Sequence, residues 1–81
     1  MSVKLELYMR DGCHLCEQMI GELYRLQPQY AFEFEQIEIT GQAELEERFG
    51  AKVPVLMQGR DEICHYFLDI DALKARLVSQ T

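Results

Sequence analysis

The chain is short of several things at once. It has no tryptophan, two prolines, and eight basic side chains against fourteen acidic ones in 81 residues. The net charge of −6 works against a nucleic-acid partner, which requires a basic face. Apolar runs last only a few residues, too short to cross a membrane as a helix. The opening residues, MSVKLELY, hold neither a basic start nor an apolar stretch, so no secretory leader is expected and the reading is a cytoplasmic protein. Neither repeats nor linker-like stretches divide the chain, which reads as one domain over residues 1–81, expected to be a monomer. Folding at this length hides only about 60–65% of the unfolded surface, so the core must be thin. Apolar residues still make up 48% of the chain, enough for one core and too many for disorder. The ten glutamates are scattered and read as a solvated surface.

Hydropathy period divides the chain into elements. VKLELY (3–8) alternates, the pattern of a strand. RDG (10–12) is turn chemistry, after which Leu15, Met19, Leu23 and Leu26 fall on one helical stripe with Ile20 beside it. Pro28 closes that helix. FEFEQIEI (32–39) is a second strand whose phase slips between Phe34 and Ile37, so a bulge or a late start is expected. AELEERFG (43–50) is a short helix with Gly50 as its C-terminal cap. VPVLM (53–57) and EICHYF (62–67) form a hairpin around QGRD, and Asp69 or Asp71 caps a last helix carrying Ile70, Leu73 and Leu77. The order is β-α-β-α-β-β-α. The first crossover makes its two strands parallel and the hairpin makes the last two antiparallel, which gives a four-stranded mixed sheet flanked by helices.

Chemistry concentrates in GCHLC, residues 12–16. In a reducing compartment a close cysteine pair is catalytic or metal-binding rather than structural. Cys13 falls at the mouth of the first helix and Cys16 one turn inside it. Free backbone N–H groups and the positive end of the helix dipole favour thiolate there, and such sites lower cysteine pKa values from about 8.5 to roughly 3.5–7.5. The spacing puts both sulfurs on one face, where a disulfide can close and reopen. Cys13, the more exposed, is the expected nucleophile, and Cys16 the resolving thiol. A zinc site needs four ligands, and only Cys64, His65 and His14 could complete one; no second ligand pair has the usual spacing. An inert buried pair is disfavoured by the polar turn before Cys13. Cys64 by itself reads as a small apolar strand residue.

LYMRDGCHLC near the start, VPVL at 53–56 and the element order between them resemble a glutaredoxin-like member of the thioredoxin-fold superfamily, over essentially the whole chain. The resemblance implies an α/β, thioredoxin-like (glutaredoxin-type) fold. It implies a cis peptide before Pro54, which would turn the Val53 backbone toward the thiols as a rail for an extended peptide. Arg10 stands where the family often carries a lysine, which implies a contact with a carboxylate of glutathione; by itself it is equally a surface arginine. Two departures stand out. The dipeptide between the cysteines is His14-Leu15 rather than Pro-Tyr; a protonated His14 would stabilise a thiolate at Cys13 and so modulate the pair, or His14 is simply a solvated helix-start residue. Counting from Pro54, the family's Gly-Gly positions fall on Cys64 and His65, which closes the cradle for the γ-glutamyl end and, if the alignment holds, brings Cys64 near the dithiol.

The reading is a small thiol–disulfide oxidoreductase: Cys13 and Cys16 catalytic, Arg10, Val53 and Pro54 binding substrate, His14 modulating, with no metal and no cofactor. Its partners are a protein disulfide and, as electron donor, a reductase or glutathione, with glutathione the weaker co-substrate. The alternatives are an iron–sulfur or zinc module built on the same cysteines and a thioredoxin-fold adaptor whose thiols are incidental.

Overall fold

The computed structural model of the protein describes residues 3–78. Seven elements follow in the order β1 (Val3–Met9), α1 (His14–Leu26), β2 (Phe32–Glu38), α2 (Ala43–Phe49), β3 (Val55–Gln58), β4 (Asp61–His65) and α3 (Ile70–Val78). The sheet runs β2-β1-β3-β4. Strands β1 and β2 are parallel, whereas β3 is antiparallel to both β1 and β4. The fold is thus mixed α/β, with the expected element order.

Two hydrophobic clusters lie on opposite faces of the sheet, and alternation assigns each side chain to one of them. Leu5, Leu7, Phe32 and Leu56 pack with Met19 and Leu23 of α1 and with Leu73 and Leu77 of α3. Ile39, Val55 and Met57 pack with Phe49 of α2, and Tyr8, Leu45 and Val53 border them. Each fully buried leucine or phenylalanine side chain contributes about 1.5–3 kcal/mol, which is how so few residues hold the chain.

This two-sided burial corrects the reading of β2. Its pairing with β1 is unbroken from Val3↔Phe32 to Met9↔Glu38, so there is no bulge and no late start. The phase slips because Phe32 and Phe34 face α1 and α3, while Ile39 faces α2. The irregularity lies instead in the hairpin, where the β3–β4 register shifts between Leu56 and Met57.

The helix ends follow local chemistry. Cys13 caps α1 with extended backbone (φ −95°, ψ 116°), and α1 buries Cys16, Met19 and Leu23 along one stripe. Asp69 rather than Asp71 caps α3, its Oδ1 accepting from Ala72 N at 3.0 Å. Gly50 is the C-terminal cap of α2, as expected, with right-handed backbone (φ −53°) and its N–H on Glu46 O. Its glycine serves close approach, because a Cβ there would collide with the Glu46 carbonyl. Among the described residues no helix is long and apolar enough to cross a membrane.

Candidate active site

The C-terminal ends of β1 and β2 deliver two loops to the start of α1. In the first, Cys13 is half-buried and its Sγ accepts a hydrogen bond from Cys16 N at 3.1 Å. Cys16 is 1% exposed. Both thiols are free. Burial, above all, pushes the Cys16 thiol up from 9.0 to about 12. The hydrogen bond with Cys13 and the charges of Cys13 and Glu38 push the same way, against a hydrogen bond from the Arg10 backbone. The two sulfurs therefore differ as the sequence reading expects: one accessible at the helix mouth, one protonated beneath it.

Two carboxylates tie the loops together, although their scattered places in the sequence suggest only a solvated surface. Glu38 Oε2 accepts from Asp11 N at 3.2 Å and from the backbone and hydroxyl of Thr40. The Thr40 hydroxyl, followed by these backbone N–H groups, holds Glu38 below the usual carboxylate range. Glu46 accepts from Arg10 Nη1 at 2.7 Å and from Gly41 N at 3.3 Å, and the Arg10 guanidinium likewise keeps it ionised to lower pH. A glutamate two residues before a turn threonine was the available sequence signal; that of Glu46 lies in tertiary contact alone.

On the other side of β1, the Val53–Pro54 peptide is cis and Pro54 is fully buried. Val53 is half-buried against the α2 cluster. Pro54 O accepts from Tyr66 N at 2.9 Å. Tyr66 has φ +65°, and Phe67 N bonds back to His65 O at 2.7 Å, a γ-turn of the strained hand. The Tyr66 hydroxyl ties the turn to Ala51 O. Cys64 and His65 are extended strand residues paired with Leu56 and Val55, and the left-handed backbone lies at Tyr66. The extra residue of the β3–β4 register shift lies between the hairpin turn and Tyr66, where counting along the sequence could not place it.

His14 is fully exposed, with Nδ1 4.0 Å from Glu17 Oε2. Cys64 packs against the α1–α3 cluster, and burial raises its thiol as well. His65 Nδ1 lies 2.6 Å from Glu62 Oε2, and Lys52 Nζ 2.8 Å from Glu62 Oε1, so His65 is engaged with a carboxylate rather than aimed at the thiols. Among the described residues no three His, Cys, Asp or Glu side chains converge as metal ligands.

A dithiol at a helix mouth, on a mixed sheet of this order, is matched by the glutaredoxin-like domain (DUF836) family model over residues 4–78. The chain belongs to the glutaredoxin-like domain family. Among solved structures, this glutaredoxin-like domain is similar to protein Ne2328 from Nitrosomonas europaea, with 46% identity over 95% of this chain and 93% of that one and a TM-score of 0.85. It is similar to protein XcR50 from X. campestris at 36% identity, covering 93% and 96% of the two chains with a TM-score of 0.70. Thioredoxin 1 from Thermosipho africanus shares the fold at 17% identity, with 96% and 99% coverage and a TM-score of 0.62. No curated protein matches the chain. The glutaredoxin-like domain is therefore a thioredoxin-fold protein whose close cysteine pair is consistent with redox chemistry.

Proposed function

We propose that the protein is a dithiol–disulfide oxidoreductase in which Cys13 attacks and Cys16 resolves. The observation that carries this is the asymmetry of the pair: Cys13 half-buried at the N-cap, Cys16 1% exposed and protonated up to about pH 12. The Cys13 thiolate attacks one sulfur of a substrate disulfide; the S–S bond breaks and the departing thiolate takes a proton. Cys16 then loses its proton and attacks Cys13 Sγ, releasing the second substrate thiol and leaving a Cys13–Cys16 disulfide. The substrate gains two electrons and the protein loses two. Two of the influences that keep Cys16 protonated are the hydrogen bond and charge of Cys13 itself. Both are lost once Cys13 is a neutral mixed disulfide, which eases deprotonation of Cys16 at the step that needs it, while burial, the largest influence, remains.

Val53 and Pro54 are proposed to present backbone to an extended peptide, as a short added strand. The fully solvated His14 is proposed to act on the pair only through its charge. A flavoenzyme of the thioredoxin-reductase kind is the proposed electron donor, in a reducing cytoplasm, because Cys64 and His65, with the bulky Tyr66 behind them, stand where a close-fitting tripeptide would want glycine. With an oxidised protein substrate, Cys16→Ser should accumulate a mixed disulfide on Cys13, and Cys13→Ser should be inactive. A stable adduct on Cys16 would reverse the roles, and no exchange by the unaltered protein would leave the adaptor reading in its place.

A further inference from the structure

Arg10 is the Lys or Arg nearest to Cys13 in the chain, and its backbone bonds toward Cys16. Its guanidinium, however, is already engaged. Nη1 meets Glu46 Oε1 at 2.7 Å, and Nη2 lies 3.4 Å from where a side chain at Gly50 would begin. Glu46 is itself fixed by the Gly41 N–H on its other oxygen. The carboxylates nearest the thiols are less fully neutralised. Glu38 is bound by neutral N–H and O–H groups and feels the Arg10 charge only as the smallest of the influences on it, and Glu17 lies 4.0 Å from His14. A disulfide approaching Cys13 therefore meets a field in which the arginine nearest in the chain is spent mainly on Glu46.

We infer that Glu46 determines the charge selectivity of the dithiol site by neutralising Arg10, so that the site oxidises more readily with cationic than with anionic disulfides. The inference rests on the oxidoreductase reading and adds a substrate class to it. In each case two protein thiols become one disulfide and the reagent disulfide becomes two thiols.

Three reagents of similar size separate the possibilities: cystamine, bis(2-hydroxyethyl) disulfide and 3,3′-dithiodipropionate, which are cationic, neutral and anionic. The fully reduced protein is mixed with each, loss of the Cys13–Cys16 dithiol is followed by mass spectrometry, and each rate is divided by that of dithiothreitol with the same reagent. The expected order is cationic over neutral over anionic, by about threefold per step, shrinking at 1 M salt where the Debye length is about 3 Å. Glu46→Gln frees Arg10 and should compress the cationic-to-anionic ratio; Arg10→Gln frees Glu46 and should widen it. A general loosening of the loop would move both variants the same way, so shifts of one sign, or an anionic reagent as fast as the cationic one, would overturn the inference. If none of the three oxidises the pair while dithiothreitol reacts, the oxidoreductase reading fails first.

Discussion

The Cys16 N–H points at Cys13 Sγ from 3.1 Å, so the residue that would end a disulfide exchange also braces the sulfur that would begin it. This bond uses one of the donors that every helix leaves free at its start. Cys13 is therefore both structural cap and candidate nucleophile, and the two cysteines are chemically unequal before any substrate arrives.

That inequality should be visible to a simple alkylating agent. At pH 8 one equivalent of iodoacetamide is expected to label Cys13 alone. With its thiol at about 12, Cys16 offers only about one ten-thousandth of its population as thiolate, and it is buried besides. Peptide mapping checks the site of labelling, and a label found first on Cys16 or Cys64 would contradict the assignment.

The same shift fixes how stability responds to alkali. A thiol raised from 9.0 to about 12 by folding keeps its proton in the folded state while the unfolded chain loses it. Its contribution is complete below pH 9 and declines as pH climbs toward 12, by up to about 1.4 kcal/mol per pH unit. Burial of Cys64 adds a decline of the same sign. Urea midpoints of the reduced protein at pH 8, 9.5 and 10.5 should fall progressively, and Cys16→Ala should flatten that fall. Equal slopes for variant and wild type would mean that Cys16 is better hydrated than its position implies.

Most of the fold was legible because period and punctuation agreed: the α1 stripe, the Asp69 cap and the alternation of β1 each needed only neighbours in the chain. β2 was misread because its two ends serve opposite faces of the sheet, Phe32 one and Ile39, just past the strand, the other, and nothing in FEFEQIEI says that Ile39 will meet Phe49 from a helix not yet formed. At the site, the CxxC motif announced Cys13 and Cys16 through local spacing. Glu38 and Glu46 stayed hidden because their roles depend on loops brought together by the β1–β2 pairing, and a glutamate bound to backbone looks no different in sequence from a solvated one.

The second cluster hangs on one aromatic contact. Tyr8 and Phe49 stack with ring centroids 4.2 Å apart, and Phe49 is 4% exposed. Phe49→Ala should cost about 3–5 kcal/mol, a large share of what so short a chain can have in reserve. Circular dichroism melts would show a steep loss of Tm or an unfolded protein. A loss below about 1 kcal/mol would mean that α2 is not needed to close that face of the sheet.

Two glycines should respond to the same substitution with opposite signs. Gly21 lies inside α1, and the nearest atom to a Cβ built there is Arg25 Nη1 at 3.7 Å, an ordinary contact with a flexible side chain. Gly21→Ala should therefore stabilise by about 0.5–1 kcal/mol, the usual gain of alanine over glycine in a helix interior. Gly50 has equally ordinary dihedrals (φ −53°, ψ −35°), so backbone preference alone would forecast a similar gain. Its Cβ, however, would collide with the Glu46 carbonyl and press toward the Arg10 guanidinium. Gly50→Ala should destabilise by about 1–3 kcal/mol, as overpacked sites do. Urea unfolding of both variants at constant m-value tests the pair. A stabilising Gly50→Ala would show that α2 can shift to make room, and the Arg10–Glu46 contact would then be free to move with it.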